Sequence, residues 1–268
     1  MQKFLKKVKE VAFRIKVWTV RFLKKMHPKA IRRSYMYFIS RSNNGYIKVD
    51  AGLREYIDTL LRLSEVPEKG YIIRSTEKSS EKDGRAYLSV PFAQARFIET
   101  FVRSIQAKHA LEIGTFRGFS TAFIARGLAE GGIVFSCDED SRPIPAARRF
   151  WQAFGIEEKI HFEFGEAKKV LAKLTNDEPS LNFFDFIFID ADKENYKHYV
   201  IEGMKLLKPK GVMLIDNTLW KGLVQYKDSH DNTAEHLKNF NSWIFDTYST
   251  YASFIPAWDG LILVIKPE

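Results

Sequence analysis

The stretch Phe184-Asp-Phe-Ile-Phe-Ile-Asp190-Ala-Asp192-Lys193 is an apolar run that ends abruptly in acids and a lysine. Further along, Gly211-Val-Met-Leu-Ile-Asp216-Asn217 repeats the design. Near-continuous apolar runs of this length suit strands buried on both faces of a parallel sheet. Two such strands deliver carboxylate and amide oxygens to one edge of that sheet. Hard oxygens suit a divalent cation such as Mg²⁺. A lysine beside such a cation is placed for proton transfer.

The surrounding pattern predicts the sheet. Helices are expected over 91–105, 120–130, 146–154, 166–174 and 196–207. Strands are expected over 110–113, 133–137, 159–164, 184–189 and 211–215. Regular strand–helix alternation argues for a doubly covered parallel sheet. The tail departs from it. Residues 252–255 and 261–265 read as strands joined by Pro256-Ala-Trp-Asp-Gly260, a hairpin-like link. Residues 65–90 and 221–232 carry no pattern that can be read in detail.

Composition places the chain among ordinary globular proteins, at 268 residues, 45% hydrophobic and 28% charged. The one cysteine, Cys137, excludes an intrachain disulfide and any multi-cysteine metal site. It fits a reducing, cytoplasmic setting. The net charge of +9 is uneven. Residues 1–48 hold 14 Lys and Arg against one acid, which is +13; the remainder holds 28 against 32, which is −4. The basicity therefore belongs to an arm spanning 1–48, with a mildly acidic body over 49–268, so the pI is no sign of a nucleic-acid-binding body.

Residues 3–26 of the arm read as an amphipathic helix. Phe4, Leu5, Val8, Val11, Ile15, Trp18, Phe22 and Met26 share one side, opposite nine lysines and arginines, although Phe13, Val17 and Val20 break the pattern. No apolar run approaches the ~20 residues that span a bilayer, and an uninterrupted secretory-type apolar centre is missing. Four readings compete: peripheral contact with an anionic membrane surface, RNA phosphate binding, a mitochondrial-type presequence, and packing on the body or a second subunit.

In open α/β sheets, ligands bind beyond the carboxyl ends of the strands. Three features collect there. Leu111-Glu-Ile-Gly114-Thr-Phe-Arg-Gly118-Phe-Ser120-Thr121 reads as strand, glycine turn and helix, where glycines let backbone approach a ligand and Ser120 joins a helix N-terminus suited to an anion. Asp138 ends the next strand, where an acid can hold ribose hydroxyls. Gly165-Glu-Ala167 follows the third. The glycine spacing is G-x-x-x-G, not the G-x-G-x-x-G of a dinucleotide site, which disfavours a NAD-dependent dehydrogenase.

Glu112-Ile-Gly-Thr-Phe-Arg-Gly118, Asp190-Ala-Asp-Lys-Glu-Asn-Tyr196 and Asp216-Asn-Thr-Leu-Trp220 together resemble the cation-dependent O-methyltransferases, the caffeoyl-CoA and catechol O-methyltransferase-like proteins. The resemblance runs from about 85 to 268 and includes Trp258-Asp-Gly260. It implies a Rossmann-like, seven-stranded α/β methyltransferase sheet, mostly parallel, with a C-terminal antiparallel hairpin and helices on both faces. It implies S-adenosylmethionine as methyl donor, a phenolic or catechol small molecule as acceptor, and a homodimer. It places Glu112, Gly114, Ser120, Asp138, Ala167 and Asp190 at the cofactor, with Asp138 on the ribose and Ala167 on the adenine. It assigns Asp190, Asp216 and Asn217 to Mg²⁺, or to Mn²⁺ or Ca²⁺, and Lys193 to the base.

The chemistry of these side chains agrees. Two carboxylates and an amide leave about three octahedral positions for water and substrate. A lone aspartate at a strand end is more often a cap or turn residue, and Asp192 fits that description. Trp220 and Tyr196 are candidates to wall an aromatic acceptor, with core packing as the alternative. The six histidines show no metal-ligand spacing. Beside the small-molecule acceptor stand two other readings motivated by the arm: an RNA methyltransferase acting on a hydroxylated nucleoside, and a non-enzymatic membrane-associated protein.

Overall fold

The computed structural model describes residues 51–63, 89–226 and 230–268. The chain divides into two compact units, Met1–Ile57 and Asp58–Glu268. The expected basic helix over 3–26, and with it the membrane, RNA and presequence readings, lies outside the described residues. Among those described, no helix is long and apolar enough to cross a membrane.

In chain order the elements are α1 (Ala51–Leu63), α2 (Phe92–Ser104), β1 (His109–Ile113), α3 (Phe119–Gly127), β2 (Ile133–Asp138), α4 (Ile144–Ala153), β3 (Ile160–Phe164), α5 (Ala167–Thr175), β4 (Phe184–Ile189), α6 (Tyr196–Leu206), β5 (Leu207–Ile215), α7 (Asn232–Tyr248), β6 (Ala252–Ile255) and β7 (Leu261–Ile265). They build a seven-stranded sheet in the order β3-β2-β1-β4-β5-β7-β6. The first five strands are parallel; β7 runs antiparallel to β5, and β6 to β7. The doubly wound sheet with its terminal hairpin is thus as the sequence predicts.

Alternation along each strand feeds two cores. Phe186 and Phe188 of β4 face one, with Ile98 and Val102 of α2, Phe123 of α3 and Trp151 of α4. Ile187 and Ile189 face the other, with Leu171 of α5, Val200 of α6, and Leu237 and Ile244 of α7. All four β4 side chains are fully buried, and each such burial is worth about 1.5–3 kcal/mol. Two differences from the sequence reading stand out. Strand β5 begins at Leu207 rather than 211, with a register irregularity between Phe184 and Phe186, because Leu207 pairs with Phe184 ahead of the Lys208-Pro209-Lys210 kink. Helix α7 has no counterpart in the expected elements; Asp231 caps it, its side chain accepting from the Ala234 N–H at 2.9 Å.

Strand order reverses at β1, whose neighbours are β2 and β4, so the crevice beyond its carboxyl end is the topological switch point. The ladder continues past the strands there. Asp190 N–H donates to the Ile113 carbonyl at 2.9 Å, Asp216 N–H to Ile189 at 3.0 Å, Gly114 N–H to Cys137 at 3.0 Å and Gly165 N–H to Asp138 at 3.0 Å. These bonds line up the exits of five strands.

The two glycines of the β1–α3 turn serve the fold itself. Gly114 has φ +103°, and a Cβ there would sit 2.1 Å from the Asp190 carbonyl oxygen. Gly118 has φ +68°, and a Cβ would meet the Trp151 ring at 2.4 Å. At each position the missing Cβ makes room for another part of the chain, the Asp190 backbone or the Trp151 ring. Trp151 Nε1 seals the contact by donating to the Gly118 carbonyl at 2.8 Å. We expect Gly114→Ala to destabilise the protein by more than about 2 kcal/mol, since strain at positive φ adds to a backbone clash. Urea unfolding measures this, and a variant as stable as the parent would refute the tight-turn account.

Candidate active site

One side of the crevice is a buried carboxylate framed by hydroxyls. Glu112, the penultimate residue of β1, is fully buried. Its Oε2 accepts from Ser136 Oγ of β2 at 2.6 Å and from Thr121 Oγ1 of α3. Thr115 and Ser136 hydroxyls share a further bond of 2.6 Å. Burial pushes the Glu112 carboxyl up to about 7, against the lowering effect of these hydroxyls and of the neighbouring Ser120. Glu112 Oε1 is buried without a hydrogen-bond partner. An orphaned buried acceptor of this kind fits a ligand N–H or O–H.

Asp138, at the end of β2, is half-buried. Its Oδ2 accepts from the Phe116 N–H at 2.7 Å and its Oδ1 from the Asp140 N–H at 2.8 Å. The carboxylate therefore pins the glycine turn of β1 while keeping lone pairs on the crevice edge. Ala167 begins α5 two residues after Gly165 and is partly buried. The structure thus sets Glu112, Gly114, Ser120, Asp138 and Ala167 around three adjacent strand exits. Their chemistry suits a ribose-bearing, amine-bearing cofactor.

The other side is acidic. Lys193 Nζ donates to Asp190 Oδ1 at 2.9 Å, with side-chain exposures of only 10% and 15%. The lysine also stands 5.1 Å from the Tyr196 ring centroid. Asp216 is 1% exposed. Its Oδ1 accepts from the Asn217 N–H at 2.6 Å and its Oδ2 from Gln94 Nε2 of α2 at 2.7 Å. Burial, and then the Asp190 charge, raise the Asp216 carboxyl; Asn217, Lys193 and Gln94 oppose them. Asn217 follows at φ +55°, a left-handed conformation that asparagine tolerates.

Two buried or half-buried aspartates with one lysine between them lack positive charge. A divalent cation held by Asp190, Asp216 and the Asn217 amide would supply it, and the donor set, all oxygen, fits that group. Among the described residues no three His, Cys, Asp or Glu side chains are grouped to hold a metal ion, so this pair of carboxylates would depend on the Asn217 amide as the third donor.

The remaining expected residues are also placed. Tyr196 is fully buried, and its hydroxyl donates to the Asp216 carbonyl at 3.0 Å, so it braces the ligand turn and presents no face to a substrate. Trp220 is partly buried, with Nε1 at 3.2 Å from both carboxylate oxygens of Asp231. Asp192 is exposed and turned to other partners: Tyr199 donates to one of its oxygens and Asn195 to the other.

Two functional neighbours escaped the sequence reading. Gln94 interrupts the apolar face of α2, a polar residue at a core position, and that was its only signal. Asp259, in the hairpin turn, accepts from the Lys221 N–H at 2.5 Å and lies near Lys193 and Asp190, while burial raises its carboxyl. The same turn accepts the Thr218 N–H at the Gly260 carbonyl (3.1 Å) and the Leu219 N–H at the Asp259 carbonyl (2.8 Å).

Known proteins match this arrangement. A family model described as O-methyltransferase matches residues 63–267. Caffeoyl-CoA O-methyltransferase of Populus kitakamiensis is 37% identical over 184 residues, covering 66% of this chain and 77% of that protein. Catechol O-methyltransferase domain-containing protein 1 of Mus musculus is 35% identical over 173 residues, covering 65% of this chain and 66% of that protein, just under two thirds of its length. The O-methyltransferase from Bacillus cereus, solved in complex with SAH, superposes with a TM-score of 0.67 at 26% identity, covering 79% of this chain and 96% of that one. The matched region takes in every strand and all the candidate residues, and the chain belongs to the O-methyltransferase family of class I S-adenosylmethionine-dependent enzymes.

Proposed function

We propose that this chain moves the methyl group of S-adenosylmethionine to a hydroxyl of a catechol-like small molecule, at a site that also holds a divalent cation. The observation that carries the reading is the convergence, at one sheet edge, of the Asp190–Lys193 pair and buried Asp216 beside the Glu112 pocket. The names of the Populus and Mus musculus relatives support the acceptor class.

In this reading Asp138 holds the ribose hydroxyls, Glu112, Gly114 and Ser120 face the methionine end, and Ala167 lies against the adenine. Asp190 joins the two halves, since its backbone packs on Gly114 and its side chain pairs with Lys193. Asp190, Asp216 and Asn217 would hold the cation, which when bound favours the anion of an acceptor hydroxyl whose own pKa is near ~10. Lys193 accepts the hydroxyl proton. Its ammonium is paired with Asp190 as seen, so the role requires that pair to open and the amine to be neutral. The acceptor oxygen then bonds to the methyl carbon as the carbon–sulfur bond breaks, leaving S-adenosylhomocysteine. Positioning supplies most of the acceleration and no covalent enzyme intermediate forms. Trp220, anchored on Asp231, walls the acceptor side.

Three outcomes are expected. Methyl transfer to a catechol should stop with EDTA and fall in Asp216→Ala by at least the roughly 10–100-fold that losing even an outer partner of a metal ligand costs; activity indifferent to both would sink the cation role. Lys193→Ala should lower kcat by about 10²–10⁴-fold, the usual contribution of a general base, with S-adenosylmethionine affinity preserved. An equal loss of both would argue against its role as base.

The third concerns pH. The fold raises the Glu112 carboxyl from 4.5 to about 7 and so favours its protonated form. Stability from this group is fully present below 4.5 and is lost as pH rises to about 7. Glu112→Gln removes that titration. The variant should therefore gain roughly 3 kcal/mol on the parent between pH 4.5 and 8, at 1.36 kcal/mol per unit. Urea unfolding at the two pH values checks this, and parallel pH profiles would contradict it.

A further inference from the structure

We infer that Gln94 is a positioning residue for the Asp216 carboxylate, and that it thereby sets how tightly the Asp190, Asp216 and Asn217 cluster binds a divalent cation. The inference rests on the cation reading above. Gln94 lies on the buried face of α2 with Phe92, Ala95, Ile98 and Val102, and is 1% exposed. An amide buried among such side chains is costly unless it is hydrogen-bonded. Gln94 finds its partner 122 positions away, on the exit of β5: Nε2 donates to Asp216 Oδ2 at 2.7 Å.

The geometry around that contact is specific. Asp216 Oδ1 is held by the Asn217 N–H at 2.6 Å, a bond local to the turn. The Asp216 carbonyl is held by the Tyr196 hydroxyl at 3.0 Å. Gln94 is the brace that reaches the carboxylate from α2, across the sheet edge. The terminal torsion of an aspartate has a broad profile, so two donors on opposite oxygens fix what one would leave free to rotate. Each oxygen retains a lone pair for a cation.

The residue type matters as much as the contact. A neutral amide supplies a donor without adding charge. Lysine or arginine in its place would compete with a cation, and glutamate would add a carboxylate to a site already short of positive charge. Removing the hydrogen-bond partner of a metal ligand typically costs 10–100-fold in affinity.

The test is Gln94→Met, which keeps chain length and removes the donor. Mn²⁺ is titrated into the full chain by calorimetry, with S-adenosylmethionine binding and thermal melting measured on the same sample. Mn²⁺ affinity is expected to fall 10–100-fold with cofactor affinity and melting preserved. Wild-type Mn²⁺ affinity in the variant overturns the inference alone. Mn²⁺ and cofactor affinities falling in step would show general loosening and also overturn it. A parent chain that takes up no Mn²⁺ removes both this inference and the cation reading beneath it. Should Gln94→Met not fold, Gln94→Asn, whose amide is withdrawn by one methylene, carries the same expectation and the same refutation.

Discussion

The hydrogen bond from the Asp190 N–H to the Ile113 carbonyl holds the two halves of the site in register. It prolongs the β1–β4 ladder by one step past the last paired residues, Ile113 and Ile189. That step seats the Asp190 carbonyl against Gly114, where a Cβ would not fit, and so fixes the β1–α3 turn by the Asp190 backbone. The next exit is set the same way, by Asp216 N–H on Ile189. Rigid strand ends are a better platform for a multi-group site than mobile loops, since small displacements of reacting groups are costly.

Electrostatics then explain why the site is built of pairs. Glu112 and Asp216 are both fully withdrawn from water, and burial raises both carboxyls. Each is surrounded by neutral donors: hydroxyls for Glu112, amides for Asp216. Neutral donors offset part of the cost of burial without adding a cation, so a bound ligand's own donors or charge can still favour the ionised form. Lys193 is the exception, a cation spent on Asp190 until something else takes that partner. A site arranged like this is destabilised alone and relieved by what it binds, in the way strained functional groups are maintained by a well-packed scaffold.

Much of this was readable from the chain. Phe184–Ile189 and Gly211–Ile215 announced buried strands because nothing polar interrupts them except at their ends, and the acids at those ends could only be at the edge. Helix α7 is not legible in the same way, because its core residues Ala234, Leu237, Phe240 and Ile244 are joined by the partly buried Trp243, Phe245 and Tyr248, which broaden the apolar stripe and blur its period. The contacts that demand glycine, the Trp151 ring at Gly118 and the Asp190 backbone at Gly114, join residues far apart in sequence and are not legible in the motif itself. Tyr196 was a candidate wall because an aromatic beside a ligand motif looks the same whether it faces in or out. Gln94 illustrates the general limit: a buried polar residue signals a partner, and only the fold names it as Asp216.

The terminal hairpin has a consequence of its own. In a parallel sheet every return crossover leaves the active edge through a helix, so each exit loop is tied to the packing of that helix. Because β7 runs against β5, the Pro256–Gly260 turn arrives at the same edge from the opposite direction and docks on residues 218–221 through three backbone donors. Its tip carries Trp258, more than a third exposed and stacked at a tilt 5.5 Å from Phe97. The root of the turn is fixed by Asp259 and by Gly260, where a Cβ would sit 2.6 Å from the Leu219 side chain, while Trp258 rests on Phe97 of α2. The last strands of the chain thus fasten helix α2 to the exit of β5 without a crossover helix, and a change at Trp258 would be felt at both.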